Sequence, residues 1–307
     1  MTSTADIKKV LIVGAGTMGQ QIGMLFAQFN RQVVIFDLSQ LILDDAKLRI
    51  QASLNAARNS GAIDNTGIQK ILGGISFETD LAKACEHADL VSESVPESTE
   101  LKGDLFGRLN ELCPAHTVFT TNTSTLLPSQ FSEQTGRPEK FAALHFHYPT
   151  ASNRVVDIMP HPTTDPSLVG LLLDLMKEMQ MIPIHLTREN SGYVFNAMLT
   201  ALTGAAIKLV ADGVASVEDV DRSWMGVMHT PVGPFGILDA VGITTAYNIN
   251  AEWARRTQDP AATRHAEFLR PYVDSGKVGT LCGEGFYQYP NPAFAEADFL
   301  NNASNDG

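Results

Sequence analysis

The sequence has 307 residues, 44% of them hydrophobic and 18% charged, which is length enough for two cores and the composition of a globular chain. A formal net charge of −12 argues against a broad electropositive face for nucleic acid or anionic lipid, and no run approaches the roughly 18 uninterrupted apolar residues of a membrane span. Cys85, Cys113 and Cys282 are odd in number and lack metal-ligand spacing; with no apolar leader over Met1 to Lys9, reduced thiols in a cytoplasmic protein are expected.

In chain order, Lys9-Val-Leu-Ile-Val13 reads as a buried strand, followed by Gly14-Ala-Gly-Thr-Met-Gly19 and a helix over Gln20 to Phe29. Gln32-Val-Val-Ile-Phe-Asp37 is a second strand and Ser39 to Ser60 a long helix. Gly73-Gly-Ile-Ser-Phe, Ala88-Asp-Leu-Val-Ser-Glu, Thr117-Val-Phe-Thr-Thr and Phe141-Ala-Ala-Leu-His-Phe-His read as further strands. Strands alternating with helices predict a mostly parallel sheet covered by helices. Beyond Ile184-His-Leu the strand signal stops, and Tyr193 to Asp212 reads as one long apolar helix. The expected organisation is therefore an α/β domain over residues 1–187 and an all-helical domain over 188–307, with the tail after Pro292 frayed.

Gly14-x-Gly16-x-x-Gly19 lies between a strand and a helix, as a Rossmann-type dinucleotide site requires. Gly14 permits the tight turn, Gly16 lets a pyrophosphate approach the backbone, and Gly19 lets the helix close on the strand. Thr17 and Met18 fall in the same turn, whose helix N-terminus offers N–H groups to phosphate. Asp37 ends the second strand about twenty residues on, where a carboxylate accepts the ribose hydroxyls. It would repel a 2′-phosphate, and Leu38-Ser39 offers no arginine to receive one, so NAD is expected in preference to NADP. His145 and His147 alternate on a strand without an acidic or thiol partner at a recognisable spacing, and no metal is expected.

The chain resembles the L-3-hydroxyacyl-CoA dehydrogenase family from Val10 to about Tyr289. The resemblance is carried by Gly14-Ala-Gly-Thr-Met-Gly19, Glu93-Ser-Val-Pro-Glu97 with Lys102, Asn122-Thr-Ser124, His145-Phe, Gly233-Pro-Phe with Leu238-Asp239, and Gly283-Glu-Gly-Phe-Tyr287. It implies hydride transfer between NAD and the 3-hydroxy carbon of an acyl-CoA, in a protein of fatty acid metabolism. His145 would be the base, oriented by a carboxylate twelve residues on, here Asp157 where the family usually has glutamate. Ser124 would bond the substrate oxygen, Asn196 would hold the substrate, and Glu97 and Lys102 would lie along the cofactor. Ser53 matches a coenzyme A contact. The family's His-Phe-Phe-Asn-Pro is His145-Phe-His-Tyr-Pro149, which puts Tyr148 where an asparagine normally meets the nicotinamide end. Ser60 and Leu281 stand where the family has lysines, with Arg49 or Arg58 as candidate replacements.

Two other functions suit the same residues: a dehydrogenase of free 3-hydroxy acids, as gulonate and carnitine dehydrogenases are, and a dinucleotide-binding protein without catalysis. The joint presence of His145, Asp157, Ser124 and Asn196 argues for an enzyme. Relatives dimerise through the second domain, and the apolar Tyr193–Asp212 segment needs cover on several sides, so a homodimer is expected.

Overall fold

The computed structural model describes residues 3–301. The chain forms two compact units, the first extending to Val194 and the second beginning at Phe195. The division falls beyond the expected Thr187 because residues 188–194 are tied to the first unit. Tyr193 is buried there and its hydroxyl donates to the Thr123 carbonyl at 2.6 Å.

The first unit opens with β1 (Lys9–Val13), α1 (Thr17–Gln28), β2 (Gln32–Phe36), α2 (Gln40–Asn59), α3 (Asn65–Gly73) and β3 (Ile75–Glu78). It continues through α4 (Leu81–Cys85), β4 (Leu90–Glu93), α5 (Thr99–Leu112), β5 (Val118–Thr121), β6 (Phe141–Phe146), β7 (Val155–Met159), α6 (Pro166–Glu178) and β8 (Ile182–His185). Among the described residues the strands make one eight-stranded sheet in the order β3-β2-β1-β4-β5-β6-β7-β8. β1 to β6 run parallel, β7 is antiparallel to β6, and β8 is parallel to β7. Both faces carry apolar clusters, one under α1, α2 and α6, the other under α4 and α5. Burial on both faces is what makes these strands read as continuous apolar runs.

Strand order reverses between β1 and β4, and there the C-terminal strand ends open a crevice suited to a nucleotide. Two turns fix its shape. Gly14 has φ 104°, and a Cβ there would lie 2.7 Å from the Ser94 carbonyl oxygen. At Gly19 a Cβ would lie 1.9 Å from the Gly14 carbonyl oxygen, so α1 could not close on β1.

The second unit holds α7 (Phe195–Ala211), α8 (Val217–Met228), α9 (Pro234–Val241), α10 (Ile243–Thr257) and α11 (Pro260–Asp274) around its own apolar core. α7 starts two residues later than expected because Gly192 and Tyr193 both have positive φ, 81° and 53°. Buried carboxylates organise the rest. Asp221 accepts the Phe235 and Gly236 N–H groups at the start of α9, at 2.8 and 3.0 Å, and the Tyr287 hydroxyl at 3.0 Å. Asp239 accepts the Phe286 and Tyr287 N–H groups and the Tyr289 hydroxyl. The tail is anchored as far as Phe299 rather than frayed from Pro292: Phe299 is buried beneath the Arg222 guanidinium, 4.9 Å from its ring. Of the expected frayed stretch, 302–307 lie outside the described residues.

Candidate active site

The cofactor end is built from backbone. Asp37 follows β2, and its Oδ2 accepts the Ala15 N–H at 2.9 Å while Oδ1 accepts the Leu38 N–H at 2.8 Å. The carboxylate is thereby fixed beside the glycine turn. A Cβ built at Gly16 meets nothing within 4 Å, so this glycine leaves room for a ligand rather than for a neighbouring segment. Thr17 and Met18 open α1 with their N–H groups at its positive end. These residues fit a dinucleotide.

Beside them, β4 and α5 bring together a buried ionic group. Lys102 and Glu93 have side chains 1% and 0% exposed and meet at 2.6 Å. Glu93 also accepts from Thr121 Oγ1 at 2.6 Å and from the Val95 N–H at 2.7 Å. Burial pushes its carboxyl above the ordinary range, with the Lys102 ammonium and those donors opposing. Lys102 also donates to the Val95 carbonyl and lies 3.5 Å from Glu97, so it is no solvated charge. Glu97 in turn accepts from Thr123 Oγ1, at 2.7 and 2.9 Å, and from the Ser124 N–H at 2.6 Å. The turn that carries Ser124 is therefore held at several points.

From Ser124 a line of polar contacts runs into the sheet. Ser124 Oγ lies 3.2 Å from His145 Nε2, and His145 Nδ1 lies 3.1 Å from Asp157 Oδ2. The ladder sets this up, because His145 and Asp157 are direct partners across antiparallel β6 and β7. An aspartate, shorter than glutamate, suffices at so close a register. An ionised carboxylate only accepts, so Nδ1 carries the hydrogen and neutral His145 turns a bare Nε2 toward Ser124. Burial lowers the proton affinity of His145, with Asp157 opposing and His147 reinforcing the fall, and the net lies below the ordinary imidazole value. Burial pushes the Asp157 carboxyl up, but the two imidazoles outweigh it and hold it below the usual range.

Two residues of this site escaped the reading for chemistry. Tyr193 stacks on His145 with centroids 4.4 Å apart and planes 6° apart. Burial, with Glu97 and Asp157 nearby, raises its phenol well above the ordinary value, so it stays a donor. Its signal was Gly192 immediately before it, where the sequence reading begins a helix at Tyr193. His147 Nε2 lies 2.9 Å from the same Asp157 oxygen. The expectation that His147 lacks an acidic partner is thus corrected, because strand pairing supplies one that sequence spacing hides. Ligand atoms of the three side chains lie within 4.8 Å of one another; both ring nitrogens aim at Oδ2 itself, which makes the cluster a hydrogen-bonded one centred on the carboxylate.

The remaining expected residues are dispersed. Tyr148 is 61% exposed in the loop after β6. Asn196 is half-buried in the first turn of α7, in the second unit. Ser53 is exposed on α2, and Ser60, at its C-cap, donates to the Ala57 carbonyl. Arg49, one turn before Ser53, shares its face and pairs with Asp45 at 2.8 Å. Arg58 is five residues from Ser53, about 140° around the helix, and so lies on a different face. Leu281 is fully exposed.

A parallel sheet with a glycine-lined switch point, a fixed acidic residue after β2 and a buried histidine–carboxylate pair define the class of NAD-dependent dehydrogenases. Sequence models described as "3-hydroxyacyl-CoA dehydrogenase, NAD binding domain" and "3-hydroxyacyl-CoA dehydrogenase, C-terminal domain" match residues 9–190 and 192–289. The chain belongs to the 3-hydroxyacyl-CoA dehydrogenase family and, with it, uses NAD in oxidoreduction at a CH–OH carbon. It is 31% identical to the human mitochondrial hydroxyacyl-coenzyme A dehydrogenase over 94% of this chain and 95% of that one. It is 28% identical to a probable 3-hydroxybutyryl-CoA dehydrogenase of Bacillus subtilis over 92% and 98%. A solved structure described as a diketoreductase acting on dicarbonyl compounds shares 41% identity, with TM-score 0.87 over 94% of this chain and 100% of that one.

Proposed function

We propose that the chain interconverts a short L-3-hydroxyacyl-CoA and its 3-keto form, with His145 as the proton-transferring group. The observation that carries this is the Ser124–His145–Asp157 line, at 3.2 and 3.1 Å, in which the unprotonated Nε2 faces Ser124. Bound NAD supplies the hydride acceptor. In oxidation Nε2 takes the alcohol proton, and Asp157 stabilises the imidazolium and keeps the ring in its plane. Ser124, anchored through its N–H to Glu97, bonds the substrate oxygen as it becomes a carbonyl. Asn196 is a further substrate partner, Ser53 a coenzyme A contact, and Glu97, Lys102 and Tyr148 belong to the cofactor side. Reduction runs the same steps in reverse.

The names of the relatives favour an acyl-CoA substrate. A second reading, a small free 3-keto acid or dicarbonyl, is favoured by the 41% identity to the diketoreductase structure and by Ser60 and Leu281 in place of lysines. A lost charge-assisted contact to phosphate, about 1.5–3 kcal/mol, raises KM for a CoA ester roughly ten- to a hundredfold. The test is kcat/KM for acetoacetyl-CoA, acetoacetyl-pantetheine, free acetoacetate and a small diketone. Under the first reading the CoA ester is turned over fastest and truncation lowers kcat/KM; if truncation has no effect, the second reading replaces it.

The protein is further proposed to be a cytoplasmic homodimer. Its three cysteines are free, and no helix among the described residues is long and apolar enough to cross a membrane. Phe195 and Met198 on α7 are about half exposed, at 49% and 60%, an apolar surface that a second copy would cover. A monomer in sedimentation at micromolar concentration refutes the dimer.

A further inference from the structure

Asp157 serves two imidazoles through one oxygen. Oδ2 accepts from His145 Nδ1 at 3.1 Å and from His147 Nε2 at 2.9 Å, so the second contact is no looser than the first. Oδ1 is buried without a hydrogen-bond partner. The arrangement follows from the strands: Asp157 stands opposite His145, and His147, two residues on, leaves the chain on the same face. The two imidazoles meet edge to face, with centroids 4.7 Å apart and planes at 75°. His147 is the more open of the two, its side chain 13% exposed against 5% for His145.

On the reading of His145 as the proton-transferring group, we infer that His147 is a positioning residue for the reaction, a second donor that holds the Asp157 carboxylate and draws part of its charge away from His145. The groups that bear on His145 are Asp157 from β7, His147 just past β6, Glu97 before α5 with Lys102 and Glu93 behind it, and Tyr193 stacked on its ring. Ser124 meets Nε2 from the β5 end. A hydrogen bond to a carboxylate stabilises its charged form whatever its other partner does, and so weakens the pull of that carboxylate on an imidazolium. With His147 present, His145 gives up its proton more readily than an undivided Asp–His pair would allow.

The test is a titration of the full chain, ring-labelled at histidine, by NMR with NADH bound, His145 being assigned by loss of its signal in His145→Gln. His147→Phe keeps a planar ring and removes the donor, whereas His147→Gln keeps an N–H near the position of Nε2. The His145 midpoint should rise by about half to one pH unit in His147→Phe and stay within about 0.2 unit in His147→Gln. The acidic limb of kcat/KM for 3-hydroxybutyryl-CoA oxidation should move with it, since the base must be unprotonated. An unmoved midpoint in His147→Phe overturns the inference, and so does an equal rise in His147→Gln. His147→Leu gives the same comparison should the phenylalanine variant not fold. The midpoint is read without substrate. A shift with no turnover of any CoA ester therefore sinks the substrate reading and leaves the role of His147 standing.

Discussion

Asp157→Asn preserves the shape of the side chain and removes its charge at the point where the site depends on it. Asp157 is fully buried, and its Oδ2 receives both imidazole N–H groups. When His145 takes a proton, that contact becomes an ion pair with donor and acceptor both charged. Such bonds contribute about 1.5–3 kcal/mol against about 0.5–1.5 for neutral ones. The loss of about 1–2 kcal/mol from the imidazolium corresponds to roughly five- to thirtyfold in rate. A second effect adds to it. An asparagine that turns its NH2 toward Nδ1 forces the hydrogen onto Nε2, which leaves no lone pair facing the substrate. Together these predict a fall in kcat of about 10² or more. The sign of the pH effect is fixed as well. The carboxylate raises the proton affinity of His145, so its removal moves the acidic limb of the oxidation profile to lower pH. The assay is steady-state NADH absorbance in both directions across pH, with NADH binding followed separately by fluorescence. A folded Asp157→Asn enzyme within about threefold of wild-type kcat, with an unmoved limb, would refute the reasoning.

NAD(H) should be preferred over NADP(H) by at least about tenfold in kcat/KM, roughly 1.4 kcal/mol, because the fixed Asp37 carboxylate repels a 2′-phosphate; equal values for the two cofactors would contradict this. Gly16→Ala should fold normally but bind NADH more weakly, since its Cβ enters open space, whereas Gly19→Ala should fail at folding because its Cβ meets the Gly14 carbonyl; circular dichroism and NADH fluorescence separate the two. Lys102→Met should destabilise the protein by about 3–5 kcal/mol by stranding the buried Glu93 carboxylate, and Glu93→Gln in the same chain should recover part of that. Urea unfolding measures both, and a loss under about 1 kcal/mol would mean that the pair is not buried in solution.

The first domain was legible because buried parallel strands announce themselves as short apolar runs between glycine turns and polar helices. Lys9–Val13 and Gln32–Phe36 were read in nearly their observed bounds. β7 was not read as a strand, since Val-Val-Asp-Ile-Met places a charge in mid-run and nothing local says that the charge has a partner across the ladder. The same blindness to pairing hid His147, whose carboxylate lies ten residues away in sequence and 2.9 Å away in space. Apolar periodicity runs unbroken through Tyr193 and predicts that it opens the helix that follows. The positive φ at Gly192 and Tyr193 stops the helix there, and the ring turns instead onto His145. What stayed illegible in each case is long-range contact.

The segments that carry the family resemblance divide by physical role, and this bears on which of them inform the substrate. In the second unit Gly233-Pro-Phe, Leu238-Asp239 and Gly283-Glu-Gly-Phe-Tyr287 are held to one another by Asp221 and Asp239, both fully buried. A Cβ at Gly285 would lie 2.0 Å from Asp239 Oδ1, and one at Gly233 would lie 2.5 Å from the Asp221 carboxyl carbon. These motifs account for the folding of that unit. The glycine turn and Asp37 likewise fit a dinucleotide. The departures fall elsewhere, at Asp157 and His147 beside the histidine, and at Tyr148, Ser60 and Leu281 on exposed surface. Exposed losses should alter affinity for a charged handle, whereas Asp157 and His147 bear on the proton affinity of His145. Affinity for the nucleotide end of coenzyme A and turnover at the 3-carbon should therefore vary independently in this protein. A truncated thioester would then show a higher KM, while the His145 and Asp157 variants show a lower kcat.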